Sequence, residues 1–143
     1  MPAWHSYDYA VVRVVPCVER EEFVNVGVIL YCRTRRYLRA RMEVDRERLL
    51  TLHPHLDLAE VERYLAAITQ VCRGGAGAGP LGRLKLSERF HWLVPPRSTM
   101  VQCSSVHSGL CAEPGPVLAR LLARHVRPPA APPEPCSGDS AGR

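Results

Sequence analysis

Lysine is almost absent from this chain of 143 residues: among nineteen basic residues only Lys85 is not arginine. Without a Gly-Lys-Ser/Thr run there is no phosphate-cradling P-loop, and no carboxylate pair stands at nuclease spacing with a lysine partner. No apolar run approaches the roughly twenty residues that span a bilayer, so no membrane helix is expected. The start, MPAWHSYDYA, lacks a basic segment leading into an apolar one, which predicts no secretory leader and a cytoplasmic protein. The six cysteines, at 17, 32, 72, 103, 111 and 136, include no C-x-x-C pair. In a reducing compartment they read as small buried hydrophobes.

What is present fits a single domain. The length suffices for one core without disulfides or metal. The proline-rich end, RPPAAPPEPCSGDSAGR, carries no large aliphatic residue and cannot offset its own ordering entropy, so residues 127–143 are expected to be a disordered tail behind a domain of residues 4–126. The net charge of +5 is concentrated in RTRRYLRARMEVDRER, residues 33–48. Arg33, Arg35, Arg36, Arg39 and Arg41 there form a basic patch suited to phosphate or to an acidic protein.

Hydrophobic periodicity predicts three strands followed by helices. YDYAVVRVV and FVNVGVILYC alternate as strands, with Val24, Val26, Val28, Leu30 and Cys32 on one unbroken apolar face, and YLRARM makes a third. Asp45 is placed to cap a short helix that stops at Pro54. Asp57, with Glu60 three residues on, starts a longer helix striped by Leu58, Val61, Leu65, Ile68 and Cys72. GGAGAGPLG reads as a flexible connection, Ser87 as the cap of a short helix, and STMVQCSSVHSG as a fourth strand. A final helix starts near Pro116 with Val117, Leu118, Leu121, Leu122 and Val126 inward. The expected fold is therefore α+β: a small antiparallel sheet of three to four strands with helices packed on it.

Several motifs dissolve on inspection. Gly77, Gly79 and Gly82 match G-x-G-x-x-G, but they follow a helix, and Pro80 removes an amide that pyrophosphate would need. Cys103, His107 and Cys111 share a face of a helix or of an extended strand, yet no fourth ligand accompanies them, so no metal is expected. Ser105 beside His107 lacks a nucleophile elbow, and no catalytic set is expected. No cofactor is implied.

EREEFVNVGVILYC and WLVPPRSTMVQCSSVHSGL carry a different signal. On these two motifs the chain resembles a bacterial family known as domain-of-unknown-function family 3037, over most of residues 6–126. The second motif falls on Arg97, Ser98, Thr99, Gln102, Ser104, Val106, His107 and Gly109, with Ser105 where many members carry proline. The resemblance implies no established activity. It does imply a neighbour, because members are often encoded beside a HipA-like serine/threonine kinase of toxin–antitoxin systems.

One strand placing Asn25 and Gly27 on the same face, with a polar run elsewhere, predicts that the two meet. Gly27 would admit residues 97–107, and Asn25 and Arg13 would bond to them. The candidate site, a pocket or a structural latch, is thus Arg13, Asn25, Gly27, Arg97, Ser98, Thr99, Gln102 and His107. Three functions stay open: a non-enzymatic interaction module, for which the resemblance implies a HipA-like kinase as partner; a nucleic-acid-binding protein using Arg33, Arg35, Arg36, Arg39 and Arg41; or a protein acting on an anionic ligand through Arg97 and His107.

Overall fold

A computed structural model describes residues 3–95, 97 and 99–129. Ser98 and residues 130–143 of the expected tail lie outside them. The architecture is α+β, with five strands in one antiparallel sheet. The strands are β1 (His5–Val14), β2 (Val24–Cys32), β3 (Tyr37–Met42), β4 (Val101–Cys103) and β5 (His107–Cys111). The helices are α1 (Arg46–Leu52), α2 (Leu58–Arg73), α3 (Leu86–Leu93) and α4 (Pro114–His125). The order runs β3-β2-β1-β4, and β5 also pairs with β1.

Local chemistry sets the helix starts. Asp45 accepts from the Arg48 amide and Asp57 from the Glu60 amide, both at 3.1 Å, filling donors that the first turn leaves open. The third helix differs from expectation. Ser87 lies inside it; the cap position is Lys85, whose amide donates to the Glu88 carboxylate at 3.1 Å. The glycine-rich connection is also more ordered than its composition suggested. Residues Ala76–Arg83 form two 3-10 turns meeting at Gly79.

Helices α1, α2 and α3 cover one face of the sheet and α4 the other, and β2 changes sides between them. Val12 pairs with Gly27 but Arg13 pairs with Asn25, so Val26 is an extra residue in the strand. Before this bulge Val24 and Val26 enter a core shared with α1, α2 and α3; after it Ile29 and Tyr31 do so. Val28, Leu30 and Cys32 enter a second core under α4. The unbroken face expected from Val24 to Cys32 is therefore cut in two, since an inserted residue inverts the alternation.

A second inversion splits the expected fourth strand. β4 pairs with Val12–Val14 and β5 with His5–Tyr9, on the same side of β1, with residues 104–106 between them. Ser104 closes the gap: its amide donates to the Val11 carbonyl and its hydroxyl accepts from the Val11 amide, both at 2.8 Å. A hydroxyl thus replaces a ladder carbonyl. Cys103 ends up against the first core, while Cys111 sits in the second. The shared face proposed for Cys103, His107 and Cys111 is not formed.

Arg127, expected to begin the tail, is held. Its guanidinium donates to both Glu43 oxygens, at 2.9 and 3.1 Å.

Candidate functional site

The late polar motif docks on β1 and not on β2. Thr99 donates its hydroxyl to the Val101 carbonyl at 2.7 Å, and the Gln102 side chain donates to the Thr99 carbonyl at 2.9 Å. These bonds shape the turn that feeds β4. Gly109 lies beneath the Tyr7 ring, close enough that a Cβ there would collide with it. Thr99, Ser104 and Gly109 thus explain much of the motif as a device for seating two short strands on one edge.

Asn25 and Gly27 answer to other elements. The Asn25 amide donates to the His125 carbonyl at the end of α4, at 3.0 Å. Gly27 faces β3: a Cβ would lie 2.7 Å from the Arg41 carbonyl oxygen and would strike the Met42 sulfur. The expectation that Gly27 admits residues 97–107 is overturned, because β1 stands between β2 and β4. What joins the motifs is Arg13. It pairs with Asn25 on one side and with Gln102 on the other, making a polar row across three strands.

Arg13 and Arg97 then converge. Together with Gln102, Val15, Val18, Glu21 and Phe23 they line a cleft of about 340 Å³. The Arg13 guanidinium lies 4.2 Å from the centre of the Phe23 ring, and its buried Nε has no hydrogen-bond partner. A buried unpaired donor costs free energy unless something occupies it, which marks this as a place for an acceptor. Arg97 stacks 4.3 Å over Trp92 and donates to the Trp92 carbonyl. Trp92, five residues upstream, was not singled out from the sequence. Its spacing of five residues from Arg97 is the one signal the sequence carries, and its exposure is seen only in the fold.

Arg97 and Gln102 also line a second, mostly apolar groove of about 390 Å³ between α2, α3 and β4. Its walls include Tyr64, Ile68, Leu81, Leu93 and Val101. The two cavities meet at the open edge of β4, where no further strand pairs among the described residues. Ser104 bonds to Val11 and Val15 bonds to the Met100 carbonyl. By the alternation of an antiparallel ladder, Val101 and Cys103 direct their main-chain groups away from β1.

His107 lines neither cavity. Its ring sits 5.4 Å from Tyr9, which also meets His125 at 5.8 Å. Burial lowers the His125 pKa, and Arg124 and His107 lower it further. The structure therefore separates Arg97 from His107. The Ser104 hydroxyl is spent on the backbone, accepting from the Val11 amide and donating to the Ser105 carbonyl. The Cys103 thiol is pushed up to about 11 and that of Cys72 to about 12, both chiefly by burial, so neither supplies thiolate at neutral pH. The described cysteines are all free thiols.

The basic patch divides. Arg33, Arg35 and Arg36 lie in the exposed β2–β3 turn, where Arg35 pairs with Glu113 at 2.7 Å. Arg39 and Arg41 project from β3.

With this geometry in place, comparison with known families decides the kinship: the model described as "Protein of unknown function (DUF3037)" matches residues 9–126. The chain belongs to the DUF3037 family. Curated proteins and solved structures give no match. The family span covers every strand and helix except the first residues of β1, so the Arg13–Arg97 cleft lies wholly within the family domain. Among the described residues no helix is long and apolar enough to cross a membrane.

Proposed function

We propose that this DUF3037 chain is a non-enzymatic interaction module, whose β4 edge receives an extended segment of a partner protein. The observation that carries the reading is the convergence of Arg13 and Arg97 on one cleft beside an open strand edge. An added strand would take main-chain bonds from Val101 and Cys103. One apolar side chain would enter the groove between α2 and α3, and an acidic group would reach the cleft that Arg13 and Arg97 line. The family resemblance supports a HipA-like kinase in the cytoplasm as that partner.

Co-expression with the neighbouring kinase, followed by purification through a tag on the kinase, tests this. The two proteins elute together, and Arg97→Glu weakens the complex about tenfold or more while the domain melts unchanged. Failure to co-elute, or a variant retained as well as the native chain, overturns the reading.

Nucleic-acid binding through Arg33, Arg36, Arg39 and Arg41 is the second reading, supported by their exposure. Retention of single-stranded DNA that is indifferent to salt would exclude it.

A further inference from the structure

Arg39 and Arg41 do more than decorate β3. They line a cavity of about 220 Å³ with Tyr37, Ala40, Cys72 and Arg73, where the β3 edge meets α2 and α4. Arg73, from the last turn of α2, lies far away in sequence and is brought to them only by the fold. Among the described residues none of the three guanidinium groups is paired with a carboxylate. Glu43, the acid whose carboxyl Arg41 helps to hold down, is itself bound by Nε and Nη2 of Arg127. Like charges are thus gathered around one concavity with no carboxylate paired directly to them among the described residues.

The backbone adds a donor. Glu43 donates to the Val26 carbonyl at 2.7 Å, which fixes the ladder phase between β2 and β3. Two pairs further on, Arg41 bonds to Val28; Ala40, paired with Ile29, falls in the alternate class. Its N–H therefore points outward, into the cavity it lines. Thr69 also lies on the wall, but its hydroxyl donates to the Leu65 carbonyl.

We propose that this cavity is an anion site for a phosphate monoester, held by Arg39, Arg41 and Arg73 with the Ala40 amide. Forked guanidinium donors match the several oxygens of one phosphoryl group, and the charge of a monoester exceeds that of a diester. The cavity is large enough to admit such a group. A nucleic-acid backbone, carrying one charge at each regularly spaced phosphate, would fit a row of arginines better than a convergence. The site is separate from the Arg13–Arg97 cleft and stands or falls independently of it.

The test is an NMR titration of the full chain with inorganic phosphate, the peptide Ala-phosphoserine-Ala, and oligodeoxythymidine. Saturable shifts at the Ala40, Arg41 and Arg73 amides are expected with phosphate or the phosphopeptide. Tighter binding of the peptide assigns a phosphorylated side chain as the source; tighter binding of phosphate assigns a small ligand. Arg73→Gln, on an exposed position, weakens binding about threefold or more, whereas Arg33→Gln, outside the cavity, leaves it unchanged. Shifts that never saturate, equal losses in both variants, or saturation by oligodeoxythymidine alone would overturn the proposal.

Discussion

Replacing Gly27 with alanine puts the bulge of β2 under direct examination. The added Cβ would lie 2.7 Å from the Arg41 carbonyl oxygen and would collide with the Met42 sulfur. The sulfur ends a flexible side chain and has room to turn aside. The carbonyl does not, because Arg41 is paired with Val28 in the ladder. Relief therefore requires β3 to move away from β2 at the point where Glu43 bonds to Val26. Overpacking of this sort costs about 1–3 kcal/mol, and a backbone obstacle places it near the top of that range, at about 2–3 kcal/mol. For a domain of this size the melting temperature should fall by about 6–15 °C.

Thermal and urea denaturation measure the loss directly, with an unchanged urea slope showing that the same surface is exposed. The double variant Gly27→Ala, Met42→Ala separates the two obstacles. Removing the sulfur should recover less than half of the loss beyond the cost of Met42→Ala alone, since the carbonyl stays. A Gly27→Ala protein melting within about 2 °C of the native one would refute the reasoning, as it would mean that β3 gives way freely at this point.

Arg89 carries the next prediction. It is 8% exposed and donates to the carbonyls of Leu84, Val71 and Cys72, closing the end of α2 without an ion pair to a carboxylate among the described residues. Arg89→Met should cost about 3 kcal/mol by denaturation, and Arg89→Lys should not restore it, because one ammonium nitrogen cannot stand both where Nε meets Leu84 and where Nη1 meets Val71 and Cys72. A lysine variant as stable as the native chain would sink that account. The Glu43–Arg127 pair predicts a pH effect instead. Hydrogen bonding from Arg127 holds the Glu43 carboxyl below its usual range, so its contribution is full above the unfolded pKa and fades as pH falls through the folded one. The melting-temperature gap between native protein and Glu43→Gln should thus exist at neutral pH and close in acid. A gap that widens in acid contradicts the sign.

The starts of α1 and α2 and the core stripe of α4 are legible in the sequence because they depend on neighbours a few residues away, whereas Ser87 misplaces the start of α3 by two residues. Asp45 and Asp57 cap the helices they were expected to cap, and the apolar stripe of α4 is buried as its spacing implied. Strand alternation was legible only between interruptions. Val26 and residues 104–106 each invert the pattern, and nothing in local composition distinguishes an inserted residue from one more step of a strand. The consequence reached the candidate site. Counting by twos put Cys103, His107 and Cys111 on one face; the break after Cys103 sends them apart.

Arg13, and neither Asn25 nor Gly27, links the two polar motifs. Two polar motifs can communicate through the strand that separates them, provided one side chain on that strand is paired with both. Arg13 meets this condition by register alone, opposite Asn25 across one edge and Gln102 across the other. The register with β2 exists only because the bulge shifts Asn25 into place beside Arg13; without it, continuing the pairing from Val12 and Gly27 would set Val26 there. Position 26 would then lie on the face of the cleft, and its valine would bring an apolar neighbour to a guanidinium whose Nε already lacks a partner. The bulge therefore both serves two cores and keeps the Arg13 row polar, which ties the packing of the sheet to the chemistry of its edge.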